Sequence, residues 1–363
     1  MLLVYFNLYV VSLLDSTRER RKNGVIKIFI AVVFWLSLSL LILYNNNNTD
    51  QESIIVATVT PGNLLPSACG GRKEIVHVGG RLPCNGSVHR MLNLTESAAI
   101  NSGAKLIVWP EAWLSGFNDQ QSLQLFLDKE IAPVVKRLGV ILTFGATVKP
   151  CENLAVTIDN GGSIVSVYGK QCPFWIAGEK SSAKYGFPVF ELPSVLSSSR
   201  PELSVTNTLG KASTLICYDM DFPATVRTVA GLGASIIVNP SNDWSSMRNH
   251  YGVSVFRAIE NNIPIVKADG AWDSAIIDGS GKILTEFQSI EAIEKVLVAK
   301  VNLKGMSTIA TLLGDLIPLL CCSYVVVIIM IICGRTLSGL LQSWKERRRS
   351  RSLYAPILDG ETP

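Results

Sequence analysis

Three residues of this chain combine the types and settings that acyl chemistry requires. Cys217 stands in Leu215-Ile216-Cys217-Tyr218-Asp219-Met220-Asp221-Phe222-Pro223, where a short apolar stretch gives way to acidic residues and a proline. Glu111 closes Leu106-Ile107-Val108-Trp109-Pro110-Glu111, and Lys170 closes Val165-Ser166-Val167-Tyr168-Gly169-Lys170. Each therefore sits just beyond a strand-like run, where functional groups are commonly displayed. A free thiol ionises only near pH 8.5, roughly, so it needs a base or a cation beside it to attack a carbonyl. Glu111 can take the thiol proton and return one to the leaving group. Lys170 can favour the thiolate and the oxyanion of a tetrahedral intermediate, with the Tyr218 backbone N–H as a second donor. The chemistry these residues permit is acyl transfer through an acyl-thioenzyme, released to water or to an amine.

Singly, each residue has an ordinary structural reading. A cysteine after an apolar strand is commonly a small buried hydrophobe, a glutamate after Trp-Pro can cap a helix, and a lysine after Tyr-Gly can face solvent. Their convergence depends on the elements around them. Strands are expected at 54–59, 105–109, 139–145, 212–216, 234–240 and 264–268, and helices at 92–102, 121–138, 224–232 and 248–261. Asn160-Gly161-Gly162 between 153–158 and 164–168 marks a hairpin, and 274–282 marks another. Hairpins mixed with crossover helices imply an α/β fold with mixed sheets and outer helices in one domain over 54–305.

The composition says where that domain works. The chain has 363 residues, net charge +4 and only 17% charged residues. Two uncharged or nearly uncharged runs account for the deficit. Residues 25–44 and 316–334 are each about long enough to cross a bilayer as a helix. They divide the chain into a cytoplasmic or interfacial segment 1–24, a first span, a linker 45–53, the catalytic domain, a second span and a basic tail 335–363. Arg18, Arg20, Arg21 and Lys22 precede the first span, and Lys345, Arg347, Arg348, Arg349 and Arg351 follow the second. The positive-inside rule then places both termini in the cytoplasm and the catalytic domain outside it or in a lumen. The sequons at Asn47, Asn85 and Asn93 agree with that side of the membrane. Five cysteines lie between the spans, and pairing Cys69 with Cys84 and Cys151 with Cys172 would leave Cys217 as the free thiol. His77, His89 and His250 lack metal-ligand spacing, and no glycine-rich phosphate loop occurs, so no metal, cofactor or nucleic acid is expected.

Taken together, Glu111, Lys170 and Cys217 resemble the Glu-Lys-Cys triad of the carbon-nitrogen hydrolase (nitrilase) superfamily. Within it the chain is most similar to the C-terminal catalytic domain of apolipoprotein N-acyltransferases. The resemblance rests on Trp109-Pro110-Glu111, on Lys170 with Pro173-Phe174 and Gly178-Glu179, and on Ile216-Cys217-Tyr218-Asp219. Asn239-Pro240-Ser241-Asn242-Asp243, His250 and Arg257-Ala258-Ile259-Glu260-Asn261 extend it. It implies an αββα sandwich, flanked here by the transmembrane helices. It also implies that Glu179 and Asp219 orient Lys170, and that Asn239, Asn242, Trp244 and Trp175 shape the pocket. The activity it implies is a membrane-anchored N-acyltransferase passing an acyl group from phospholipid to an amine, such as a lipoprotein N-terminus, by a monomer. The alternative is an amidase in which water resolves the acyl-enzyme, and a lesser one is an inactive membrane scaffold. Three departures accompany the resemblance. Asp219 replaces a glutamate, the Lys170 to Glu179 segment is one residue longer, and the multi-span bundle that precedes the family's catalytic domain has at most two apolar counterparts here.

Overall fold

Strand alternation decides the layers of this molecule. In β1 (Ser53–Pro61), Ile54 and Val56 pack to one side and Ala57 and Val59 to the other, all four fully buried. Both faces of the strand are therefore covered. The computed structural model describes residues 33, 37, 52–61, 85–149, 152–175, 179–180, 182–194, 208–243, 249–270, 273–288, 293–303 and 307–354.

β1 pairs antiparallel with β13 (Glu294–Asn302) and parallel with β2 (Leu106–Val108), which pairs parallel with β4 (Ile141–Val148). β5 (Glu152–Ile158) and β6 (Ile164–Gly169) extend that sheet antiparallel, and β3 (Leu114–Phe117) joins β4. The second sheet runs β12 (Ile283–Gln288), β11 (Asp273–Ile277), β10 (Ile265–Asp269), β9 (Ile236–Ser241), β8 (Thr208–Thr214) and β7 (Val189–Pro193). Its central strands β8, β9 and β10 are parallel, as crossover helices require. Ile54, Val56, Leu106 and Val108 of the first sheet meet Ile236, Val238, Val266 and Ile276 of the second in one apolar layer.

Helices close the two outer faces. α1 (Asn85–Ser102), α2 (Gln120–Phe126) and α3 (Ala132–Leu138) place Met91, Leu123 and Val135 on Ile107, Leu142 and Phe144. α4 (Pro223–Gly231) and α5 (Tyr251–Asn261) place Val226, Val229 and Ala258 on Ile237, Ile265 and Ala275. The result is a mixed α/β fold with outer helices, as the sequence pattern predicts, in the layered sandwich that the family resemblance implies.

Local departures have local causes. The helix expected over 121–138 contains a π-turn at Leu127–Ile131 before α3, and it stops at Gly139, whose φ of 60° lets the chain turn left-handed. α1 begins at Asn85, ahead of the expected Leu92, because Met91 and Leu92 lie on a buried face continuous with Val88. The sequence pattern misses β3, β7 and β13. The first is a four-residue strand containing Gly116, and the second is an edge strand ending in Pro193.

The chain separates into two compact units, residues 1–307 and 308–363. The second consists of α6 (Ile309–Leu313) and α7 (Leu316–Tyr354). Among the described residues one helical stretch is long and apolar enough to cross a membrane, Leu319–Arg349, with mean hydropathy 2.2 over an 18-residue window. The span expected at 316–334 falls on α7, but the helix continues past 334 because no proline lies between Pro318 and Pro356 to stop it. The span expected at 25–44 lies outside the described residues except for Val33 and Ser37. Of the expected flanking pair, the described residues therefore contain one such helix.

The central layer yields a direct test. Leu106→Ala opens a cavity at a fully buried site between the sheets and should cost about 2–5 kcal/mol in denaturant unfolding. Val165→Ala, on a side chain 42% exposed, should change stability by about 0.5 kcal/mol or less.

Candidate active site

The site is built where strands of both sheets end. After β2 the chain crosses Trp109 and Pro110 to Glu111, and three contacts fix that passage. The Trp109 N–H donates to the Thr143 carbonyl at 2.8 Å, its indole N–H donates to the buried Thr95 hydroxyl at 2.8 Å, and the Gly145 N–H donates to the Pro110 carbonyl at 3.0 Å. Gly145 permits this approach. A Cβ there would lie 2.4 Å from the Ala112 nitrogen and 2.5 Å from the Glu111 Cα, both backbone atoms. The Glu111 N–H then donates to the Ser241 carbonyl of β9, which ties the residue to the opposite sheet.

Lys170 follows β6 and is placed by a second close approach. A Cβ on Gly169 would sit 2.2 Å from the Ser182 carbonyl oxygen, so only glycine leaves room for that strand. The Lys170 N–H donates to the Asn153 carbonyl and its own carbonyl accepts from the Ser182 N–H. Its ammonium is buried and donates to Glu111 at 2.8 Å and to Glu179 at 3.1 Å. Asn153 Nδ2 donates to the same two carboxylates, at 2.7 and 3.2 Å, and the Phe174 N–H donates to Glu179 at 2.7 Å. Burial alone would lower the Lys170 pKa. The Glu111 carboxylate, with Glu179 beside it, overcomes it and holds the ammonium above the usual lysine range.

Cys217 opens a short 3-10 turn, Cys217–Asp221, between β8 and α4, and Pro223 starts the helix. Its φ of 43° is left-handed, which is strained for a residue with a Cβ and presents the side chain at a sharp elbow. Burial, then the Glu111 and Asp243 carboxylates, push the thiol pKa well above its ordinary value, against Lys170 and the Asn242 backbone N–H. Cys217 is thus a neutral thiol at rest, 8% exposed, within the electrostatic reach of both Glu111 and Lys170.

Asp219 meets Lys170 through charge and the backbone through hydrogen bonds. It accepts from the Tyr168 hydroxyl at 2.7 Å and from the backbone N–H groups of Gln171, Cys172 and Ile216. The shorter aspartate thus clamps the backbone beyond Lys170 to the Cys217 turn and makes no hydrogen bond to the ammonium. Burial pushes its pKa up to about 6 although the Tyr168 and backbone donors oppose the rise. Tyr218 packs edge-on between Phe174 and Phe222, at 5.5 and 5.2 Å between ring centroids.

The other expected positions divide. Trp175 is 76% exposed and Asn242 is exposed, whereas Asn239 is fully buried and bound to the Leu215 carbonyl and the Ser241 hydroxyl. Asn239 therefore braces the end of β8 against β9. Trp244 lies outside the described residues, as do Asn47, Cys69, Cys84 and Cys151. Cys172, expected to pair with Cys151, carries a free thiol, and its backbone N–H is committed to Asp219. Asn85 begins α1, and Asn93 is exposed on that helix with Thr95 buried against Trp109. Among the described residues no cluster of His, Cys, Asp and Glu could hold a metal.

Sequence reasoning passed over Asn153 and Lys267. Lys267 is 1% exposed in β10 and donates to Asp243 at 2.6 Å and to the Asp273 carbonyl at 2.7 Å. His250 bridges Asp243 at 3.0 Å and Asp221 at 2.8 Å. A lysine within Pro264-Ile265-Val266-Lys267-Ala268, an otherwise apolar strand, was the available signal. Lys267 and then His250 hold the Asp243 carboxyl far below the usual range despite its burial. Burial would lower the His250 pKa, but its bonds to Asp221 and Asp243 raise it to about 9.

Two outcomes follow. Gly145→Ala forces the Glu111 loop aside and should lower turnover by about 100-fold, measured on folded protein. Because the His250 pKa rises from 6.5 unfolded to about 9 folded, its contribution is complete below pH 6.5 and is lost as pH climbs through 9. The melting-temperature deficit of His250→Gln should be largest at pH 6 and shrink toward pH 10, roughly.

Comparisons with known proteins show the family. The carbon-nitrogen hydrolase family model matches residues 85–311, more than half of the chain. Apolipoprotein N-acyltransferase 1 of Treponema denticola is 33% identical over 130 residues, covering 34% of this chain and 23% of its own. The apolipoprotein N-acyltransferase of Allorhizobium ampelinum is 28% identical over 218 residues, 54% of this chain and 40% of its own. The chain thus spans less than half the length of these relatives. A "hydrolase in agr operon" of Staphylococcus lugdunensis is 26% identical over 53% of this chain and 86% of its own. Among solved structures, an amidase from Nesterenkonia sp. AN1, bearing the acetamide moiety of fluoroacetamide on its active-site cysteine, superposes with TM-score 0.51 at 17% identity. That match covers 70% of this chain and 92% of the amidase. The chain belongs to the carbon-nitrogen hydrolase (nitrilase) superfamily of cysteine-dependent enzymes, with homology to the apolipoprotein N-acyltransferases.

Proposed function

We propose that the protein is a thiol amidohydrolase in which Cys217 attacks an amide carbonyl and water releases the acid. The observation that carries this reading is the buried Lys170 ammonium held against Glu111 beside a cysteine at a left-handed elbow. The Cys217 thiol proton passes to the Glu111 carboxylate as the S–C bond forms. The carbonyl electron pair moves to oxygen, where Lys170 and the Tyr218 backbone N–H receive the negative charge. The C–N bond then breaks, and the proton on Glu111 goes to the departing amine. Water enters and gives a proton to Glu111 as it attacks the thioester. The S–C bond breaks and the proton returns to sulfur. Asn153 and Glu179 keep Lys170 in place throughout. Resolution by water is supported by the Staphylococcus lugdunensis hydrolase, matched over 86% of its length, against 40% or less for the two acyltransferases.

A second reading is favoured by α7. Phospholipid would donate the acyl group and an amine would receive it, at a domain anchored outside the cytoplasm with both termini inside. The long apolar helix, its basic end at Lys345, Arg347, Arg348 and Arg349, and the similarity to N-acyltransferases support it.

Intact-protein mass separates the two. Incubated with short aliphatic amides, the full chain should gain an acyl adduct that Cys217→Ala lacks, and should release free acid with no added amine. An adduct formed only from phospholipid vesicles, and cleared only by an amine, would replace hydrolysis by transfer. No adduct from either donor would overturn both.

A further inference from the structure

The steps above use the carboxylate on one side of Cys217 and leave another unused. The Cys217 Sγ lies 3.5 Å from Asp243 Oδ1 and hydrogen-bonds to it. Asp243 is fully withdrawn from solvent, and its other oxygen is taken by Lys267 at 2.6 Å. His250 Nδ1 lies 3.0 Å from both oxygens, and the Asp243 N–H donates to Asp269 at 2.8 Å. Both ring nitrogens of His250 face carboxylates, an arrangement that suits the doubly protonated ring, which has two donors. The carboxylate is thus oriented and neutralised from β10 and from the start of α5, with Oδ1 shared between His250 and the thiol.

We propose that Asp243 is a second carboxylate of the catalytic centre, which accepts the Cys217 thiol hydrogen bond and holds the resting nucleophile neutral until substrate turns the proton toward Glu111. The inference rests on Cys217 being the nucleophile, and it holds for either acyl acceptor. The charged groups acting on the sulfur are Glu111 from the end of β2, Lys170 from the end of β6 and Asp243 from the end of β9. Around Asp243 stand Lys267 and Asp269 on β10, Asp273 on β11 and His250, which also meets Asp221. Two cations among four carboxylates leave the cluster short of positive charge, so a thiolate at 3.5 Å is disfavoured. A cluster that only stapled β9, β10 and β11 together would have no need of an oxygen on the sulfur. Substrate that orders the Cys217 side chain toward its carbonyl breaks the bond to Asp243 and leaves Glu111 as the acceptor. Reactivity is then coupled to occupancy, and an empty site resists alkylation and oxidation.

The test reads thiol ionisation directly. Full-length Asp243→Asn keeps Lys267 beside Asp269 and the Asp273 carbonyl, so the cluster stays paired. Iodoacetamide labelling of Cys217, followed across pH by peptide mass to separate it from Cys172, should show its midpoint lowered by about one unit or more in the variant. Turnover should fall in parallel, and unchanged Cys172 labelling would exclude a general loosening. An unchanged Cys217 midpoint in folded Asp243→Asn, with the acyl adduct still forming, overturns this proposal alone. Loss of the adduct in the unsubstituted protein overturns the functional reading instead. Should Asp243→Asn fail to fold, His250→Gln, which removes a cation from Asp243, must raise the midpoint, and no rise there overturns the proposal.

Discussion

A buried ammonium is stable only beside carboxylates, and the rest of the site follows from giving Lys170 two of them. Glu111 arrives from β2 and Glu179 from the segment after the lysine, and Asn153 fills the space between them with two donated hydrogen bonds. Removing either carboxylate would leave charge in a water-poor interior, where the penalty reaches several kcal/mol. The geometry of the proposed chemistry is thus enforced by stability. Gly145 and Gly169 belong to the same constraint, since each allows backbone to approach where a methyl group would push Glu111 or Lys170 away.

Register carries that constraint through the sheets. On β10, Val266 and Ala268 join the layer between the sheets, so Ile265, Lys267 and Asp269 occupy the helix-facing side. On β11 the same parity puts Asp273 with Ala275 and Ile277. A slip of one residue in β10 would drive Lys267 into the apolar layer and Val266 among the carboxylates, so the ion cluster penalises the wrong pairing severely. Polar links then lock the two sheets to each other. The Glu111 N–H reaches the Ser241 carbonyl, Tyr168 reaches Asp219, and Thr60 meets Ser274 at 2.8 Å.

Much of this was legible from residues alone. Apolar runs ending in Trp-Pro-Glu, Tyr-Gly-Lys and Ile-Cys-Tyr located three strand ends, because buried strands are read by composition and their ends by the first charged residue. Asn153 was not legible, since an asparagine at the start of a hairpin strand is ordinary turn chemistry until Lys170 is known to lie beside it. The hydrogen bonds of Asp219 were not legible for a related reason. Sequence placed it beside the nucleophile, but only coordinates show that its partners are backbone N–H groups and a tyrosine hydroxyl. The helix-facing parity of Lys267 could have been read from its apolar neighbours, and its three aspartates could not, because they come from three different strands or loops.

The choice between water and an amine lies outside the triad. Either acceptor must lose a proton to Glu111 before it can attack the thioester, so Glu111, Lys170 and Cys217 serve both equally. What differs is which acceptor reaches the carbonyl and what holds the acyl chain while it waits. Phe174, Tyr218 and Phe222 form an edge-to-face row along the turn that bears the nucleophile, with Phe222 39% exposed. Such a row offers apolar surface to an aliphatic acyl group and no partner for a charged one. Trp175, on the same segment as Phe174, adds an exposed ring beyond it. Shielding the thioester with bulky apolar side chains slows water more than it slows an acceptor with binding contacts of its own. In the proposed chemistry such a row would bias the partition between hydrolysis and transfer, although no residue in it takes part in bond breaking.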